Sequence, residues 1–171
     1  MDFLRFAATI ADGAHKPAAN PAKHADADPR AYSEQAKKVV PADVRMFSGC
    51  QDSQTSADVT NVASFGLPET SGPAGAGGAC TNSLIKALHD NHHPTWIELL
   101  GAMRTILKTK GYSQIPELSA SRQFDLNSPF KIVEGSGKKK ALMIGINYVG
   151  MKGELRGCHN DVDIMKKFIQ Y

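Results

Sequence analysis

The sequence is poor in cysteine, has a single tryptophan and contains no long apolar run. Each shortage excludes something. Three cysteines are an odd number with no framework spacing, which argues against a disulfide scaffold and for free thiols in a reducing, cytoplasmic setting. No apolar stretch approaches the roughly 18 residues that span a bilayer. The early segment DFLRFAATIA is short and has no basic stretch before it, so neither a membrane anchor nor a signal peptide is expected. Charge of one sign is also missing: 20 Lys and Arg stand against 17 Asp and Glu, for a net charge of +3. Apart from Lys138-Lys139-Lys140 the basic residues are scattered, which leaves no electrostatic footprint for a nucleic acid.

What is present is ordinary globular material, 171 residues with 42% apolar and 22% charged side chains, enough for one domain with a core. Residues 3–11 fit a short amphipathic helix. Residues 12–30, with Pro17, Pro21 and Pro29, read as a linker unable to bury enough to fold alone. A helical turn is expected over 31–38, and a buried strand over VRMFSG (44–49), bounded by Pro41 and Gly49. GLPETSGPAGAGG (66–78) is a Gly/Pro loop. A helix follows over about 79–90, with Leu84, Ile85 and Leu88 on one face.

The clearest signal comes next. Thr95 and Glu98 form a T-x-x-E capping box. Trp96, Leu99, Leu100, Met103, Ile106 and Leu107 then recur at helical spacing, and Lys108, Lys110 and Gly111 suit the helix end. QIPELSAS (114–121) is a strand opened by Pro116. After the GSGKKK joint, ALMIGINY (141–148) is apolar enough for a central parallel strand. DVDIMKKFI is a helix with Asn160 as N-cap, Asp161 and Asp163 in its first turn, and Val162, Met165, Phe168 and Ile169 inward. Strand–loop–helix units of this kind point to an α/β fold.

Three chemical motifs invite attention. GSGKKK is not a phosphate loop: Ile132 stands where the first glycine is needed, Lys139 where Ser or Thr is needed, and the joint precedes a strand instead of following one. His89-Asp90-Asn91-His92-His93 has two histidines at i and i+4, but Pro94 breaks the helix and no third ligand stands out, so a solvated helix end is the better reading. Cys50, Cys80 and Cys158 each lack an evident imidazole partner. Cys80 opens a helix whose dipole would favour a thiolate, yet free cysteines are more often small buried residues.

Two long stretches resemble a known family. RMFSGCQDSQTSAD, the AGAGGACTNSLIKAL helix, TWIELLGAMRTILKTKGYSQIPELSAS and DLNSPF resemble the small-subunit (p10-like) region of type I metacaspases. KKKALMIGINYVGMKGELRGCHNDVDIMKKFI resembles the opening of their large (p20-like) region. The resemblance implies a variable segment over 1–39, a small region over 40–134, a joint over 135–140 and the start of a large region over 141–171. It implies an incomplete α/β, caspase-like (caspase/haemoglobinase-type) three-layer sandwich.

Metacaspases are cysteine endopeptidases that cut after Arg or Lys, and many are calcium-activated. Their nucleophile lies in a D-x-C-H-S-G type motif and their base in an H-Y-S-G-H-G type motif; neither is found in these 171 residues. The resemblance therefore assigns no catalytic residue, no metal ligand and no cofactor here, and reserves Ca2+ for a complete enzyme. It gives Asp161 of Gly157-Cys158-His159-Asn160-Asp161 a place in the pocket for a basic substrate side chain. Cys158, Cys50 and Asp52 join it as substrate-binding candidates. Without the resemblance, Asp161 reads as a first-turn acid complementing the helix dipole, worth about 0.3–1 kcal/mol.

The family order is also inverted, small region first. A circular permutant, natural or engineered, cut short or completed by a second chain, a read across two tandem copies, and a subgroup with its small region first, truncated before the dyad, all account for this; the GSG joint resembles a designed linker and tips the balance to the first. An apolar strand without neighbours needs a cover. The expected partners are a complementary large-region segment or second chain, and an Arg/Lys-containing peptide in the complete enzyme; otherwise the piece pairs with itself or folds only in its small region. A non-enzymatic interaction module acting through exposed strand edges is the alternative.

Overall fold

The computed structural model describes residues 29–67 and 75–170. The expected helix over 3–11 and most of the proline-rich segment lie outside them. In chain order the elements are α1 (Pro29–Val39), β1 (Arg45–Ser48), β2 (Asp58–Val59), a 3-10 turn (Val62–Phe65), β3 (Gly77–Gly78), α2 (Ala79–Asp90), α3 (Trp96–Thr109), β4 (Glu117–Ala120) and α4 (Cys158–Ile169). The chain is thus a mixture of helices and small, incomplete sheets.

Local chemistry sets the helices. In α3, Thr95 caps as expected: its hydroxyl accepts the Glu98 N–H at 3.3 Å, and Glu98 accepts the Thr95 N–H at 2.8 Å. The N–H groups of Trp96 and Ile97, orphaned at a helix start, donate to the carbonyls of Ser128 and Leu126 in the segment that folds back over it. The helix ends at Thr109 with Lys110 as its C-cap, and Gly111 follows at φ +79°, a left-handed position that glycine occupies without strain.

The strands pair antiparallel. β1 lies on β4 in the register Arg45↔Ala120 to Ser48↔Glu117, and Val44 and Ser121 extend the ladder by a backbone bond of 2.9 Å. β2 pairs with β3 through Asp58↔Gly78 and Val59↔Gly77. The core lies where α2 packs on α3. Ala87, Leu88, Leu99 and Met103 form one cluster, with Phe47 of β1 and Phe168 of α4 against it. Val59, Phe65, Ala79 and Leu107 form a second. Trp96 is buried in an aromatic nest of Phe47, Phe124 and Phe130, with the Arg45 guanidinium 5.0 Å from its ring.

Two expectations need correction. ALMIGINY forms no strand. Its period of two survives, because Met143, Gly145 and Asn147 are half-buried while Leu142, Ile144 and Ile146 are exposed, Leu142 at 87%. A strand is defined by a hydrogen-bonded ladder with a neighbouring strand, and among the described residues this segment pairs with no strand. The second concerns α4. Its N-cap is Gly157, not Asn160, because the Asp161 N–H already bonds the Gly157 carbonyl at 2.9 Å. Of its apolar residues, Ile164 is the buried one. Val162, Met165 and Phe168 are half-buried, and Ile169 is exposed, because that face borders an open cleft.

The capping box and the core make separate, measurable contributions. Thr95→Ala is expected to cost about 1 kcal/mol. Leu99→Ala, at a fully buried position, is expected to cost about 2–5 kcal/mol. Urea unfolding followed by circular dichroism checks both, and equal costs would contradict the assignment.

Candidate functional site

The start of α4 is pressed against the β3–α2 junction, and this contact gathers the polar groups of the candidate site. Gly157 is the point of closest approach: a Cβ there would lie 2.4 Å from the Gly77 Cα. Around it, Asn160 Nδ2 donates to the Ala76 carbonyl at 2.8 Å, and Asp58 Oδ2 accepts the Arg156 N–H at 2.8 Å. The Cys158 N–H donates to Asn147 Oδ1 at 3.0 Å, which ties the helix start to the end of the apolar segment.

Asp161 is at the centre. The Gly78 N–H reaches both of its oxygens, at 3.0 and 2.9 Å, and the Thr81 hydroxyl donates to Oδ2 at 3.1 Å. Burial pushes its carboxyl above the usual range. The two donors oppose that shift, and the charge of Asp58 adds to it. Asp161, Cys158 and Thr81 line an open cleft of about 1090 Å³, whose other walls include Lys131, Lys139 and Lys140, the apolar segment and the outer face of α4.

Cys50 and Asp52 sit elsewhere, on the loop after β1, and neither lines this cleft. Asp52 is exposed. The Cys50 thiol donates to the Gln54 carbonyl at 3.3 Å and accepts from the Ser56 hydroxyl at 3.6 Å. Gln54 satisfies the loop, accepting the N–H groups of Gln51 and Ile115 and donating to the Ser113 carbonyl. Buried Gln114 does the same from the far side, bridging Ala57 N–H and the Gly49 carbonyl.

Sequence reasoning missed Gln114, Thr81 and the Gly77–Gly78 pair. One signal for the last was available: α2 begins without a capping side chain, since Gly78 has none to offer, and a helix start of that kind needs a group from elsewhere.

Cys80 does not carry the activated thiolate that its helix position suggested. Burial, then the charge of Asp161, then Cys50 push its thiol up to about 11. Among the described residues, no group of His, Cys, Asp and Glu could hold a metal ion. His89, His92 and His93 lie exposed at the end of α2. No helix of the described residues is long and apolar enough to cross a membrane.

Comparison with known proteins agrees with this architecture. Residues 8–127 match the caspase domain of peptidase C14, and residues 139–171 match the metacaspase peptidase C14 domain. The chain is 49% identical over 148 residues to Metacaspase III c of Phaeodactylum tricornutum, covering 81% of this chain and 43% of that protein. It is 47% identical over 92 residues to Metacaspase-2 of Trypanosoma brucei brucei, covering 54% of this chain and 25% of that one. Against Metacaspase-5 of Trypanosoma cruzi the identity is 47% over 90 residues, with shares of 53% and 20%. The chain belongs to the caspase-like peptidase C14 family and matches its metacaspases. It spans less than half the length of these relatives.

Two measurements test the electrostatics. In the folded chain at pH 8, iodoacetamide is expected to label Cys80 at least about tenfold more slowly than Cys50 or Cys158, with the difference vanishing in urea; equal rates would contradict the buried thiol. A carboxyl whose folded pKa lies above its unfolded value stabilises the fold below the unfolded value, and that contribution is lost as pH rises through the folded one. Asp161→Asn keeps an acceptor without the charge, so its stability relative to wild type should improve from pH 4 to pH 8, by denaturation at each pH.

Proposed function

We propose that this chain is the specificity-bearing portion of a metacaspase-type cysteine endopeptidase that cuts after Arg or Lys. One observation carries the reading: a half-buried carboxylate, Asp161, stands in the wall of an open cleft, held by two donors and with no cation of its own bonded to it in the described residues. A fixed anion of this kind suits a guanidinium or ammonium, which can form charge-assisted hydrogen bonds to it. Cys158 lies beside it on the cleft, and Cys50 with Asp52 belongs to the neighbouring loop of the small region, over 40–134.

In this reading the thiolate and imidazole that break the peptide bond come from a companion large-region segment. The nucleophile attacks the scissile carbonyl, the imidazole moves the proton from sulfur to leaving amine, and backbone N–H groups hold the oxyanion. Ca2+ belongs to that completed enzyme and the cytoplasm is its expected compartment. The apolar segment 141–148, extended and exposed on one side, supports a companion that supplies the absent strands. The order of regions reads as natural, that of a subgroup with its small region first. A single alignment covering 81% of the chain runs across the Gly135–Gly137 joint, which weighs against a designed linker.

The test is complementation. The chain alone should not turn over an Arg-containing fluorogenic peptide with calcium, and should do so once the remaining large-region segment is added. Asp161→Ala should then lower kcat/KM for the basic peptide by roughly 100-fold or more, a loss of order 3 kcal/mol for a buried charge pair. Turnover by the chain alone, or basic-peptide specificity unchanged in Asp161→Ala, would refute the reading. No turnover with any segment, together with partner binding, would favour the non-enzymatic interaction module.

A further inference from the structure

The glycine at position 78 has no backbone reason to be glycine. Its φ of −75° and ψ of 131° suit any residue, and a Ser, Thr, Asp or Asn there would cap α2. What forbids a side chain is Asp161. A Cβ at Gly78 would lie 2.6 Å from Asp161 Oδ2; one at Gly77 would meet Val62 Cγ1 at 2.6 Å and Asn82 Nδ2 at 2.8 Å before reaching Asp161 Oδ1 at 3.0 Å. The helix forgoes its own cap and leaves room for a carboxylate from 83 residues further along the chain.

We propose that Thr81 and the Gly77–Gly78 pair form a cradle that positions the Asp161 carboxylate for a cationic ligand, with Thr81 as the positioning side chain. A carboxylate offers about four lone-pair directions. The Gly78 N–H and the Thr81 hydroxyl take those facing the small region, which fixes the plane of the group and leaves the others for a guanidinium or ammonium. Thr81 also lines the cleft itself, beside Asp161 and Cys158, so it sits where it both orients the anion and borders the ligand. The same two donors favour the ionised form against the effect of burial. The other ionisable groups around the site among the described residues are Asp58 on β2, Cys80 on α2, Cys158 on α4, and Lys131, Lys139 and Lys140 on the cleft walls. None of them replaces the Thr81 bond. The inference rests on reading Asp161 as the specificity anion, and its direct test does not depend on that reading.

The full chain, carrying carboxyl-labelled aspartate, is titrated by NMR without ligand. Thr81→Val is expected to move the Asp161 midpoint upward by up to about one pH unit, as loss of a donor to the charged form requires. Thr81→Ser should restore it. Gly78→Ala, whose backbone is unstrained, should displace the carboxylate and shift its resonance and midpoint. An unchanged midpoint in folded Thr81→Val overturns the proposal. If Thr81→Val does not fold, an unchanged resonance and midpoint in Gly78→Ala does so.

A second arm titrates Nα-acetyl-arginine amide into wild type, Thr81→Val and Asp161→Ala. Weaker binding in both variants, by about tenfold or more, supports the cradle and the specificity reading together. Binding that survives Asp161→Ala while Thr81→Val still moves the midpoint leaves the cradle standing and removes the specificity reading.

Discussion

One carboxylate set against a pair of glycines holds the two parts of this chain in register. Asp161 is donated to by Gly78 and Thr81, and the glycine at 157 lets the start of α4 approach the backbone of β3. Three further contacts of α4 accompany that seating: Asn160 on the Ala76 carbonyl, Ile164 buried, Phe168 against the α2–α3 core. Hydrophobic burial supplies most of the attraction between such surfaces, but it is not directional. The hydrogen bonds and the glycine contacts select one docking position among many.

The same contact makes the chemistry of the cleft a joint property of residues before and after the joint. Asp161 comes from the start of α4, after the joint, while the groups that orient it come from the β3–α2 junction before it. The cysteines divide by environment. Cys80 is kept protonated by burial beside Asp161, Cys50 is engaged by Gln54 and Ser56, and Cys158 borders the cleft. What the described residues bring to the cleft is a wall and a half-buried carboxylate held by two donors.

How much of this could be read in the sequence depended on how local each cause was. The helix over Ala79–Asp90 and the Thr95–Glu98 box involve neighbours a few residues apart, and both stand where expected. β1 was legible as an apolar segment bounded by Gly49, though it is half-buried, and β4 as a short strand opened by Pro116; their antiparallel pairing was not legible. ALMIGINY carries the composition of a buried strand, but a strand is a relation between segments, and among the described residues its partner is absent. Asn160 has the chemistry of a cap and is used instead to bond Ala76, because a tertiary acceptor was within reach. Gln114, which holds the Cys50 loop, gave no signal in its own neighbourhood. Asp161 was singled out by a family motif; that Thr81 and two glycines enclose it is a fact of tertiary distance, 80 residues and more along the chain.

The nest around Trp96 has a practical consequence. It is the single tryptophan of the chain, it is 4% exposed, and its ring neighbours Phe47, Phe124, Phe130 and Arg45 all belong to the part of the chain before the joint. Indole emission therefore reports the integrity of that part directly, and the seating of α4 only at second hand, through Phe168, which packs with Phe47 against the α2–α3 cluster. A chain whose last helix had swung away would keep every one of those ring neighbours, so its detachment is best watched with a reporter placed on α4 itself.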